Sequence, residues 1–61
     1  MQKVTAKEFF KALYALPEDI RPKSVGEYPY TTVWRIVSTG RVFGVSKAIK
    51  HSFKTNYYLR S

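Results

Sequence analysis

The apolar positions along this chain change their period as it runs. Between Val4 and Leu16, the residues Ala6, Phe9, Phe10, Leu13 and Leu16 recur at helical spacing and make one apolar stripe. Lys7, Glu8 and Lys11 fall towards the opposite side. Thr5 and Glu8 stand in the T-x-x-E arrangement of a capping box: the hydroxyl accepts from the N–H of residue 8, and the carboxylate accepts from that of Thr5. Val4 and Phe9 occupy the two positions of a hydrophobic staple, and Pro17 pushes Leu16 out of the α region. These signals predict an amphipathic helix over about residues 6–16, with its stripe turned into the core.

Residues 17–29 carry three prolines and one glycine and read as a loop. Pro17 to Ile20 could add one helical turn that tucks Ile20 under the core. Thirteen residues is long for a connection in so short a chain. Lys23, Tyr28 and Tyr30 are therefore kept as contact candidates, beside the plainer reading of a linker pinned by Ile20 and Val25.

The period drops to two between Thr31 and Val45, which predicts a β-hairpin over about residues 31–45. With Thr39-Gly40 as a two-residue turn, Ile36 would face Phe43 and Trp34 would face Val45. A three-residue loop with a glycine bulge would shift the register by one and exchange the partners. The basic, aromatic segment 46–61 is ambiguous. Val45, Ile49 and Phe53 recur every four residues, with Ser46 as a cap, and the low β-propensity of Lys47, Ala48 and Lys50 favours a helix over a third strand. Tyr57-Tyr58-Leu59 would return as a short edge strand. The expected fold is α+β and a single small domain over residues 1–61: an N-terminal amphipathic helix packed on an antiparallel hairpin or small sheet, followed by a short C-terminal helix or a third strand.

Composition sharpens this picture. At 61 residues the chain buries only about 60% of the surface its unfolded form exposes. It has no cysteine, one histidine and four acids, so no disulfide, metal or cofactor is expected to hold it together. No apolar run reaches the length of a secretory signal or a membrane span, so a cytoplasmic protein without a membrane partner is expected. The net charge of +7 is unevenly spread. Residues 1–30 hold five cations against four acids, whereas residues 31–61 hold Arg35, Arg41, Lys47, Lys50, Lys54 and Arg60 with no acid at all. Such a basic half attracts a polyanion.

Three chemistries compete for these residues. Phe43-Gly44-Val45-Ser46 looks like the turn of a helix-turn-helix, with the small Gly40 four places before the turn glycine. The apolar residue wanted six places after it is Lys50, however, and the preceding TVWRIVSTG is poor in helix formers. Catalysis finds little footing. Glu18-Asp19 fits a turn, His51 has no thiol to partner it, Ser52 beside it cannot face it, and Gly40 and Gly44 do not form a phosphate-binding loop. No enzyme activity is expected.

Cations interleaved with aromatics make the better case. Arg35, Arg41, Lys47, Lys50, Lys54 and Arg60 would grip phosphates, and Tyr57 and Tyr58 would offer stacking faces. A two-stranded ribbon is narrow enough for a DNA major groove. The sequence thus points to a small nucleic-acid-binding regulator, with DNA favoured over RNA. The alternative is a protein-interaction module or inhibitor that binds a larger enzyme. The valines on the outer hairpin face, Val33, Val37 and Val42, add the expectation of a homodimer.

Overall fold

The computed structural model describes residues 1–60. In chain order it runs β1 (Gln2–Val4), α1 (Ala6–Tyr14), one 3-10 turn (Glu18–Ile20), β2 (Lys23–Glu27), β3 (Thr31–Arg35), β4 (Val42–Ala48) and β5 (Thr55–Leu59). All five strands join one antiparallel sheet in the order β1-β5-β4-β3-β2. The last four strands form a meander, and β1 closes onto the far side of β5. Among the described residues, no helix is long and apolar enough to cross a membrane.

The helix begins where the capping box places it. The Glu8 N–H donates to the Thr5 hydroxyl at 3.1 Å, and the Thr5 N–H donates to the Glu8 carboxylate at 3.2 Å. The Thr5 hydroxyl also donates to that carboxylate, at 2.9 Å. These bonds, the backbone one foremost, hold the Glu8 carboxyl below its ordinary range. The regular helix ends at Tyr14 rather than Leu16. Ahead of Pro17, the Leu16 N–H bonds back only three residues, to the Leu13 carbonyl, tightening the final turn.

Phe9 is the centre of the core and is fully buried. Its ring meets Phe10, Trp34, Phe43 and Tyr57 with centroids 5.1–5.6 Å away, mostly edge to face. Gly44 makes room for it. A Cβ there would lie 2.8 Å from the Phe9 ring and 2.5 Å from the Tyr58 carbonyl oxygen. Beside this cluster the Trp34 indole N–H donates to the buried Ser46 hydroxyl at 3.2 Å.

The expected fold class is overturned. The protein is mostly antiparallel sheet with a single short helix; a strand precedes that helix, and no C-terminal helix follows among the described residues. Three corrections have physical causes. First, β4 runs straight through the segment read as a helix. Ser46 satisfies the Trp34 indole instead of capping, and residues 44–47 are paired with β3 on one side and β5 on the other. Residues 49–54 are the β4–β5 loop, in which Ile49 donates to the Lys54 carbonyl and His51 takes a left-handed φ of 65°. The four-residue spacing of Val45, Ile49 and Phe53 therefore has no helical meaning, and Phe53 stands fully exposed.

Second, the β3–β4 register differs from the preferred one. Trp34 faces Gly44, Val33 faces Val45, and a bulge between Trp34 and Arg35 sets Arg35 opposite Val42. The loop spans residues 37–40, closed by the Ile36 N–H to the Arg41 carbonyl and the Gly40 N–H to the Ile36 carbonyl, with Gly40 at φ 70°. The register follows from Phe9, because only a glycine fits beneath it. Third, the stretch read as loop contains β2, and Tyr57-Tyr58-Leu59 lies inside the sheet rather than at its edge. The first pairs with the neighbouring β3 although it is exposed at every position, and the second is enclosed because the distant β1 pairs along its outer side.

Two measurements check this account. Gly44→Ala should cost about 1–3 kcal/mol through overpacking, and Phe9→Ala about 3–5 kcal/mol. A chain of this size holds roughly 3–9 kcal/mol at about 0.05–0.15 kcal/mol per residue, so a urea titration should find Phe9→Ala stripped of a third or more of its stability. The capping box adds a pH signature. The lowered Glu8 carboxyl contributes stability above the ordinary carboxylate range, and that contribution disappears as pH falls through its folded value. Glu8→Gln should therefore flatten the acid limb of the stability curve, read from urea midpoints at neutral and acid pH.

Candidate nucleic-acid interface

The sheet is covered on one side only. Register and alternation put Trp34, Gly44, Ser46 and Tyr57 on the face beneath the helix. Among the described residues no element lies over the other face. One row of directly paired residues crosses it from edge to edge: Lys3, Tyr58, Val45, Val33 and Val25. Lys23 and Arg35 pair on one side of that row, and Thr31, Lys47 and Asn56 on the other. Val33 is 8% exposed without any cover, because its cross-strand neighbours Val25 and Val45 close in beside it.

The eight residues expected to contact nucleic acid separate into groups. Lys47 and Tyr58 come together on the open face, the ammonium 6.0 Å from the ring centroid, within reach of a cation–π contact. With Met1 and Val45 they line a shallow hollow of about 190 Å³. Arg35 is on the same face, exposed, and donates to the Gly40 carbonyl at 3.2 Å. Arg41 and Arg60 meet at the end of the sheet near the bulge, where they line a cleft of about 260 Å³ with Ile36, Val42 and Phe43. Lys50 and Lys54 are carried to the other end by the β4–β5 loop. About 17 Å of strand, at roughly 3.3 Å per residue, separates the two ends.

Tyr57 leaves the set. Its ring packs on Phe9 and Phe10 at 5.1 and 5.5 Å, under the helix, so no base can stack on it. The groove-entering ribbon also falls away. The β3–β4 hairpin is flanked by β2 and β5, so it presents no narrow two-stranded blade. In exchange the fold brings in residues the sequence did not mark. Lys3 stands beside Tyr58, and Lys23 beside Arg35. Tyr28 and Phe53 project fully exposed from the two loops at the Lys50 end. Lys23 and Tyr28 carried only a loop-length signal; Lys3 carried none, because its place beside Tyr58 depends on long-range pairing, and Phe53 entered only through a helical spacing that the loop does not follow.

The charges are segregated as well. Glu8 lies in the helix and Glu18 and Asp19 in the turn after it, leaving Glu27 as the acid on the open face. Arg21 is held apart from that face: it donates to the Leu16 carbonyl at 3.1 Å, with its guanidinium 5.2 Å from the Tyr14 ring centroid. Among the described residues, no group of three histidine or acidic side chains is placed to hold a metal ion. No protein family, curated protein or solved structure matches the chain.

The two neighbouring tyrosines should respond differently to truncation. Tyr57→Ala opens a cavity against Phe9 and should cost about 3–5 kcal/mol. Tyr58→Ala, on the uncovered face, should cost about 1 kcal/mol. Thermal and urea unfolding of the two variants gives the comparison directly.

Proposed function

We propose that the protein binds single-stranded nucleic acid across the uncovered face of its sheet. What supports this is the division of the molecule into a helix layer, which carries three of the four acids, and an open face bearing Lys3, Lys23, Arg35 and Lys47 around one tyrosine. A broad sheet cannot enter a duplex groove, but a flexible strand can lie along it. Phosphates would meet Arg35 and Lys23 towards one end and Lys47 towards the other. A base would settle in the hollow on Tyr58, whose ring gives a stacking platform indifferent to sequence. The guanidiniums of Arg41 and Arg60 and the ammonium groups of Lys50 and Lys54 extend the positive track beyond both ends. A small regulator working by occupancy of DNA or RNA fits this arrangement. The second reading, a protein-interaction module, draws on the outer edge of β2.

Fluorescence anisotropy with labelled DNA and RNA oligonucleotides provides the test. Binding to single strands should exceed binding to a duplex of the same length. Log affinity should fall linearly with log salt, and Lys47→Ala or Arg35→Ala should each reduce the slope by about 0.7, the value per phosphate contact on a single strand. Tyr58→Ala should cost about 1–3 kcal/mol with little change in slope. Absence of binding at low salt, or binding indifferent to salt, would sink the proposal.

A further inference from the structure

The outer edge of β2 is complementary to itself. Its five residues, Lys23-Ser24-Val25-Gly26-Glu27, place a cation and an acid symmetrically about a central valine. The backbone hydrogen-bond pattern shows which groups the edge offers. The Ala48 N–H donates to the Tyr30 carbonyl at 2.9 Å, so even-numbered residues of β3 bond towards β4 and odd-numbered ones towards β2. Lys23, Val25 and Glu27, paired with Arg35, Val33 and Thr31, accordingly turn their backbone groups inward to β3. Ser24 and Gly26 turn theirs outward, to no partner strand. Every residue of β2 is exposed, and among the described residues no strand pairs with this edge.

We propose that a second copy of this chain pairs with β2 along that edge, antiparallel, about a two-fold axis through Val25. In this register the outward N–H of Ser24 donates to the carbonyl of Gly26 in the other copy, the Gly26 N–H returns a bond to the Ser24 carbonyl, and symmetry doubles both. Lys23 then stands directly opposite Glu27 of the other copy, twice, and Val25, 57% exposed in the monomer, packs on its own counterpart. These facing positions are non-hydrogen-bonded pairs, which bring side chains closest together. Sliding either way by two residues sets Lys23 against Val25 or Pro29 and Glu27 against Arg21 or Val25; Arg21 lies outside β2 and is engaged by the Leu16 carbonyl and the Tyr14 ring, so charge favours the central register.

The axis of such a pairing stands normal to the sheet. Both helices would therefore lie on one side and both open faces on the other, forming a single ten-stranded sheet from two five-stranded ones. The association does not depend on nucleic acid. It would, however, join two basic faces side by side, so a strand long enough to reach both would be held more tightly than by one.

Sedimentation equilibrium without oligonucleotide, from about 10 μM to about 1 mM, tests this over the range expected of a small interface. The unmodified chain should show a monomer–dimer equilibrium. Lys23→Glu and Glu27→Lys should each weaken it by about tenfold, because both symmetric pairs become repulsive. The double variant restores opposite charges and should return to near the original value. Ser24→Pro removes one outward donor per copy while sparing the β2–β3 bonds, and should abolish the dimer. Circular dichroism confirms that each variant is folded. A monomer throughout, single charge variants that associate unchanged, a double variant that fails to recover, or a folded Ser24→Pro that still dimerises would each overturn the proposal. Each of these results leaves oligonucleotide binding by the open face to be judged on its own measurement.

Discussion

Phe9 needs a place to bury an aromatic ring, and the sheet supplies it by leaving Gly44 without a side chain. The close approach of that ring to the β4 backbone sets the distance between helix and sheet. It also sets which residues of β3 and β5 turn inward, since Trp34 and Tyr57 must flank the same ring. Once Gly44 lies beneath Phe9, the register of β3 against β4 follows, and the bulge after Trp34 absorbs the mismatch with the loop that Gly40 closes. A short chain has few other means of choosing one register, because it holds little core beyond this cluster.

The same constraint produces the open face. A nine-residue helix covers one side of a five-stranded sheet, and among the described residues no other element lies over the opposite side. The chain compensates with a valine row that shields itself laterally and with cations around it, which keep the surface hydrated. Charge follows the layers: in the helix and the turn after it Lys7, Lys11 and Arg21 balance Glu8, Glu18 and Asp19, whereas the sheet carries an excess of cations with Glu27 as its one acid. That excess places the net positive charge of the molecule on its sheet side, where salt screens it.

The edges of the sheet are handled unequally. β1 is three residues long and holds the far side of β5, whereas β2 is longer, exposed throughout and open along its outer side. An unpaired edge invites another strand. The order of charges in β2 makes its own copy the best-matched visitor, and the resulting geometry would enlarge the basic surface rather than hide it.

Much of the helix was determined by local sequence alone. Thr5 and Glu8 cap it, Pro17 ends it and the Phe9–Leu13 stripe orients it, and all of these act within a few residues of one another. The strand character of 31–35 and 42–45 was legible for the same reason, from alternation and β-branching. The strands β1 and β2 were not legible, since QKV and KSVGE carry no pattern of their own; β1 becomes a strand by hydrogen bonding to β5 at the far end of the chain, and β2 by pairing with its neighbour β3. Nor could local spacing show that Lys47 continues β4, that Tyr57 rather than Tyr58 turns under the helix, or that Lys3 and Lys23 join Arg35 and Lys47 on one face. Those outcomes depend on register, and register was decided by the fit of one phenylalanine over one glycine, a contact between residues 35 positions apart in the chain.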